Sequence, residues 1–263
     1  MDLNLKDKVY IVTGGSKGIG AAITHAIADE GGIPVIVTRS KGGVTDELVQ
    51  ELKKKRIAAH AIIGDLQELD NCKKAIDETA AKFGRIDGIV NNAGMNDGAS
   101  LEKGPEAFRK SILLNLYHYY DLVHYALPYL KETKGSIVNI SSKVAITGQG
   151  GTSGYAASKG AQLALTREWA AELLPYSIRV NAILPAEVMT PLYRKWLDNT
   201  FDDPAAKEAA IVANIPLEKR MTTAEEIAAM AVFLLSDRSA HTTGQWMIVD
   251  GGYVHLDRSL TTQ

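Results

Sequence analysis

Cysteine is almost missing from this 263-residue chain: Cys72 stands alone. That excludes an internal disulfide and fits a reducing compartment. An excess of charge of one sign is missing too. With 29 Lys and Arg against 31 Asp and Glu, the net charge is −2 and the pI about 6.3. Nothing in that balance favours nucleic acid or an anionic membrane surface. Long apolar runs are lacking: the richest stretch, residues 112–130, is broken by His118, Asp121 and His124. It makes a poor membrane span. No basic-then-apolar leader precedes the first strand, since MDLNLKDK runs directly into VYIVTGG, so a cytoplasmic protein is expected. Linkers, low-complexity tracts and internal repeats are also absent, which predicts one domain over residues 1–263.

What remains is an alternation. Short β-branched runs at 9–13, 34–38, 58–63, 87–91, 136–141, 178–183 and 245–249 are separated by helical stretches such as AAITHAIADE, NCKKAIDETAAKF and AQLALTREWAAELL. Near-continuous apolar strands with helices between them predict a seven-stranded parallel sheet covered on both faces, a doubly wound α/β Rossmann fold. The least regular region, about 186–223, carries Pro191, Pro204 and Pro216 and is expected to form a substrate lid. Residues 106–130 bring Tyr117, Tyr119, Tyr120, Tyr125 and Tyr129 to more than one helix face. A second apolar stripe suggests a second partner, a homo-oligomer of two or four subunits.

TGGSKGIG (13–20) follows the first strand and opens the first helix. Glycines at 14, 18 and 20 let backbone approach a pyrophosphate, and the helix N-terminus offers unpaired N–H groups. Gly14, Ser16, Lys17, Gly18, Ile19 and Gly20 are therefore candidate dinucleotide contacts. At the end of the second strand stands Arg39, where an acid would bind a ribose 2′-OH. With Lys17 nearby, an arginine there favours a 2′-phosphate, hence NADP over NAD. Asp65 with Leu66 after the third strand, and Asn91, Ala93 and Gly94 of NNAG after the fourth, are candidates for the adenine end and the groove wall.

YAASK (155–159) sets Tyr155 and Lys159 four apart, on one helix face. A phenol with a pKa near 10 is a poor base at neutral pH, and lowering it by about 3 units takes roughly 4 kcal/mol. One positive charge about 4 Å away, at an effective dielectric near 20, supplies roughly that much. Lys159 is expected to be that charge, with the small residues between them leaving the site open.

Taken in order, TGGSKGIG, NNAG, Asn115, ISS (140–142), YAASK, PAEVMT (185–190) and VDGG (249–252) resemble the short-chain dehydrogenase/reductase family over nearly the whole chain. The resemblance implies a catalytic group of Asn115, Ser142, Tyr155 and Lys159. Tyr155 would exchange the substrate proton, Ser142 would orient the reacting oxygen, and Asn115 would hold a water that relays protons to Lys159. Pro185, Val188 and Thr190 would hold the nicotinamide carboxamide; Ala186 departs from the glycine usual in the family. No metal is implied.

The substrate end is read from residues after NNAG, between Ser142 and Tyr155, and after Pro185. Asn96, Asp97, Lys143, Gln149, Thr152, Ser153 and Glu187 are rich in donors and acceptors, as a compound bearing many hydroxyls requires. Of these Asn96, Lys143, Gln149 and Glu187, with Ser142 and Tyr155, are the substrate-binding candidates. NNAGMNDG, the stretch SSKVAITGQGGTSGYAASKGAQLALTREWA, PAEVMTPLY and VDGGYVHLDR are similar to bacterial L-fucose dehydrogenase-type sugar dehydrogenases. That implies oxidation of an anomeric hydroxyl to a lactone, with His255 and Arg258 of the tail as further substrate candidates. A 3-ketoacyl or other ketone reductase of the same fold, and a non-catalytic NADP(H) sensor, are the competing readings.

Overall fold

The structure is a computed structural model and describes residues 2–256. Seven strands form one parallel sheet in the order β3-β2-β1-β4-β5-β6-β7: β1 Val9–Thr13, β2 Ile33–Thr38, β3 His60–Ile63, β4 Gly88–Asn91, β5 Ser136–Ile140, β6 Arg179–Pro185 and β7 Trp246–Val249. β1, β4 and β5 are buried at every position, as β-branched strands covered on both faces must be. Two apolar cores lie against the two faces. One contains Ile11, Val35, Ile76, Ile89 and Trp169, and the other Tyr10, Val12, Ile23, Val138 and Ile227.

Strand order reverses between β2-β1 and β4, so the loops after β1 and β4 diverge and open a crevice at the strand ends. The loop after β1 runs into α1 Gly18–Asp29. Beyond β4 come α4 Gly104–Ile112, a π-turn Leu113–Tyr117 and α5 His118–Thr133. The π-turn contains Asn115 and breaks the regular i→i−4 ladder beside the crevice. α6 Ser153–Glu172 sends Tyr155 and Lys159 to it. Its buried stripe is polar near the crevice (Ser158, Lys159, Gln162, Thr166) and apolar farther on (Trp169, Ala170). The polar half is tied to the sheet: Asn91 Nδ2 donates to Asn139, Asn139 Nδ2 to Thr166, and the Thr166 hydroxyl to the Gln162 carbonyl, with Asn91 Oδ1 left unpartnered among the described residues. Buried amides and hydroxyls need such partners.

The region 186–223, expected to be irregular, carries two helices, α7 Pro191–Thr200 and α8 Pro204–Val212. Pro191 and Pro204 occupy first helical positions, where a missing N–H costs nothing. α2 Val44–Lys54, α3 Leu69–Phe83 and α9 Ala224–Leu235 complete the layers. No described helix is long and apolar enough to cross a membrane. Of the tyrosines in the long helical stretch, Tyr119 is core, whereas Tyr117 and Tyr120 are exposed.

Candidate active site

A cleft of about 1630 Å³ runs along the C-terminal strand ends, lined from the glycine loop through Tyr155 to α7. At its floor the glycine loop fits a diphosphate. Gly14 has φ +62°, and a Cβ on Gly20 would sit 2.2 Å from the Gly14 carbonyl oxygen. Only glycine permits that turn and that closeness. The N-cap of α1 is Lys17, which makes no side-chain capping bond, so the first-turn N–H groups and the positive end of the helix face the cleft. These features match the cradle that holds a dinucleotide pyrophosphate.

At the outer end, Lys17, Arg39 and Lys41 all line the cleft, with Ser40 and Thr38 between them and no acid at the end of β2. Lys41 is an addition that sequence spacing alone did not single out. Asp65 lines the same end, and its carboxylate accepts from the backbone and side chain of Gln67; it shapes a turn as well as the wall.

One expectation for the groove wall is corrected. Asn91 does not line the cleft: it is the last residue of β4, fully buried, with its amide bonded to Asn139. Asn92 takes that place, donating to the carbonyls of Thr13 and Gly14 and so tying the two divergent loops together. Ala93 and Gly94 line the cleft as expected.

The chemical end gathers Ser142, Tyr155 and Lys159 in the cleft wall, and corrects the simple picture of a lysine tuning a tyrosine. Lys159 Nζ donates to the Ile140 carbonyl at 2.7 Å, to Gln162 Oε1 at 3.2 Å and to the Tyr119 hydroxyl at 3.4 Å. An ammonium has three protons, and none of these bonds goes to Tyr155, whose ring centroid is 5.5 Å away. Burial pushes Tyr155 up to about 12, with hydrogen bonding from Ser142 pulling the other way. Burial also brings Lys159 down to about 7. Both groups lose charge for the same reason, since desolvation disfavours whichever form is ionised.

Asn115 is held by hydrogen bonds on three sides. It lies outside the cleft lining, fully buried. Its Oδ1 accepts from the Met95 N–H at 2.8 Å, its Nδ2 donates to the Ser111 carbonyl, and its own carbonyl accepts from Gln162. A Cβ on Gly94 would approach that Oδ1 to 2.8 Å. Asn115 thus shapes the Gly94–Met95 turn and is a positioning residue.

Pro185, Val188 and Thr190 line the cleft. The Thr190 hydroxyl accepts from the Tyr193 N–H as the cap of α7, which leaves its proton for a ligand. Ala186 is not among the residues with positive φ, so alanine is accommodated there without strain. At the mouth, Lys143 and Glu187 form an ion pair, their side chains only 13% and 12% exposed. Tyr193 donates to the second Glu187 oxygen, and Lys143 lies 4.3 Å from the centre of the Tyr253 ring. Asn96 accepts from Thr152, while Asp97 accepts from Ser111. Gln149 is exposed at the rim. Ser153 opens α6 outside the lining, and His255 is exposed and also outside it. Arg258 lies outside the described residues. Trp196, which packs edge-on against Tyr193 at 5.2 Å, joins the lining.

A family profile described as Enoyl-(Acyl carrier protein) reductase matches residues 14–254. The chain belongs to the short-chain dehydrogenase/reductase family. Its curated relatives include L-fucose dehydrogenase of Mus musculus, 38% identical over 93% of this chain and 88% of that protein. They also include 3-oxoacyl-[acyl-carrier-protein] reductase FabG of Thermotoga maritima, 36% identical over 96% of this chain and all of that protein. Among solved structures, Cj0485 dehydrogenase superposes with a TM-score of 0.93 at 49% identity, covering 98% of both chains. This short-chain dehydrogenase/reductase is therefore an oxidoreductase acting on CH–OH groups with a nicotinamide dinucleotide.

His118 is a cleft residue that the sequence alone did not single out. Its Nε2 bonds the Leu114 carbonyl at 3.1 Å, its Nδ1 has no partner among the described residues, and burial lowers it to about 4. Between that value and its ordinary 6.5 the unfolded chain binds a proton that the folded one refuses. Stability present above pH 6.5 is therefore lost as pH falls towards 4. In urea unfolding, the wild type should lose up to about 3 kcal/mol more than His118→Asn between pH 7 and pH 4.

Proposed function

We propose that the enzyme is an NADP-dependent sugar dehydrogenase that oxidises the anomeric carbon of L-fucose or a related aldose to the lactone. The observation that carries this reading is the mouth beside Tyr155, lined by the partly buried Lys143–Glu187 pair, the Tyr193 hydroxyl and the Asn96–Thr152 pair. Burial and Glu187 together push Tyr193 upward, so it stays a donor. Fixed charged and polar groups set against the aromatic walls of Tyr193, Trp196 and Tyr253 suit a ring with apolar faces and a hydroxyl rim. An acyl chain offers nothing to that ion pair.

The nucleotide would lie on the glycine loop, with its 2′-phosphate among Lys17, Arg39 and Lys41, and its nicotinamide end near Pro185, Val188 and Thr190. When bound and oxidised it supplies the acceptor for the hydride that leaves the sugar C1. Ser142 orients the C1 oxygen. Tyr155, as phenolate, takes the hydroxyl proton while the C1–H electron pair departs, leaving the C1=O of a lactone. Lys159, while protonated, supplies positive charge close to the phenol, and Asn115 and Gln162 keep the surrounding backbone and ammonium in place. Tyr117 and Tyr120, exposed on one helical stretch, suit contact with a second copy of the chain. Buried Cys72, pushed up to about 12 by desolvation, stays a thiol, in keeping with a cytoplasmic enzyme.

The names of the relatives divide between a sugar and an acyl-thioester substrate, so the test is a direct comparison. Purified enzyme is given L-fucose, L-galactose and D-arabinose with NADP⁺ or NAD⁺, and a 3-ketoacyl thioester with NADPH or NADH. Sugar-dependent nucleotide reduction with NADP⁺ preferred is the expected result. Turnover of the thioester with no sugar oxidised would replace this reading with a ketoacyl reductase.

A further inference from the structure

Gln162 is fully buried in α6, three residues past Lys159. Its Nε2 donates to the Asn115 carbonyl at 2.8 Å, and its Oε1 accepts from Lys159 Nζ at 3.2 Å. A carbonyl only accepts and an ammonium only donates, so a single orientation of the amide satisfies both neighbours. The family resemblance suggests a water between Asn115 and Lys159; here a side chain makes that connection.

We propose that Gln162 is the positioning residue for Lys159, its amide anchoring the ammonium to the π-turn and setting how firmly the lysine holds its proton beside Tyr155. The significance for catalysis rests on the reading of Tyr155 and Lys159 as the proton-handling groups. Water donates and accepts at one atom and so passes a proton along. A primary amide would have to become an imidic acid to do the same, so Gln162 holds a charge in place and does not conduct one. Its own position is fixed from the sheet, because Thr166 donates to its backbone carbonyl and Asn139 donates to Thr166.

The other groups facing Lys159 are few. From α5 come the Tyr119 hydroxyl, 3.4 Å away, and behind it His118, with ring centroids 4.9 Å apart. From α6 comes Tyr155, and from β5 the Ile140 carbonyl. Among the described residues no carboxylate is a hydrogen-bond partner of Lys159. A charge introduced at position 162 therefore meets nothing to offset it except the ammonium, and removing the amide dipole leaves that ammonium less well solvated.

The test is a pH titration of the Lys159 side chain in nucleotide-free protein, followed by NMR on ¹³Cε-labelled lysine and assigned with Lys159→Met. Gln162→Glu should raise the midpoint by about one unit or more, and Gln162→Met should lower it. In the same variants, the pH profile of sugar oxidation should move in the corresponding opposite directions. A mere packing role would reduce stability in both variants and leave the midpoint where it was. An unchanged midpoint in the Glu variant, or shifts of the same sign in both, overturns the proposal. If the Met variant does not fold, the Glu variant alone decides by the same criterion. The titration needs neither substrate nor nucleotide, so a wild type that oxidises no sugar refutes the proposed function without touching this result.

Discussion

Tyr155→Phe lowers kcat for sugar oxidation by about 10²- to 10⁴-fold and leaves NADP⁺ affinity unchanged. The substitution removes one oxygen and keeps the ring that lines the cleft, so the glycine loop and the end of β2, where the nucleotide is proposed to lie, are undisturbed. What it deletes is the group proposed to accept the substrate proton. In the wild type, burial pushes the phenol up to about 12, and oxidation requires its deprotonated form. The oxidation rate should therefore rise with pH through the alkaline range, and the Phe variant should lose that slope along with its rate. Steady-state kinetics against pH, paired with nucleotide titration by fluorescence, checks both halves. Full activity in the Phe variant would remove Tyr155 from the chemistry.

Arg39→Asp moves the NADP:NAD ratio of kcat/KM by about 10²-fold towards NAD. Arg39 stands at the end of β2 with Lys17 and Lys41 on the same stretch of cleft. The substitution takes away a charge-assisted donor to a phosphate and sets a carboxylate in its place. That carboxylate repels the 2′-phosphate and accepts from the free 2′-OH of NAD. Loss on one side and gain on the other make this a change of preference, visible as a crossing of the two nucleotides' kcat/KM values. A ratio that stays at its wild-type value would move the phosphate contact away from Arg39.

Strand positions were readable because buried parallel strands leave uninterrupted β-branched runs, and each predicted strand falls within about two residues of an observed one. The glycine loop was readable because close approach leaves no substitute: a Cβ at Gly20 would sit on the Gly14 carbonyl. The features that escaped were those decided by orientation. Asn91 and Asn92 are adjacent, and only the register that sets Asn91 opposite Asn139 shows which one turns into the core and which into the cleft. Pro191 and Pro204 look like breaks until the helix starts are known, when they become first-turn residues. The four-residue spacing places Tyr155 and Lys159 on one face correctly. It says nothing of where three ammonium protons go, which the Ile140 carbonyl, Tyr119 and Gln162 decide. Gln162 itself left one trace in the sequence, a polar amide on the helix stripe that must be buried.

The central claim is that this cleft moves hydride from a sugar carbon held beside Tyr155. It is tested most directly by incubating the wild-type enzyme with L-fucose deuterated at C1 and oxidised NADP, then weighing the reduced nucleotide by mass spectrometry. One deuterium in the nucleotide, with the lactone or its aldonic acid as co-product, is the predicted result. Reduced nucleotide without deuterium, or no reduction by any aldose while another alcohol is oxidised readily, would contradict it.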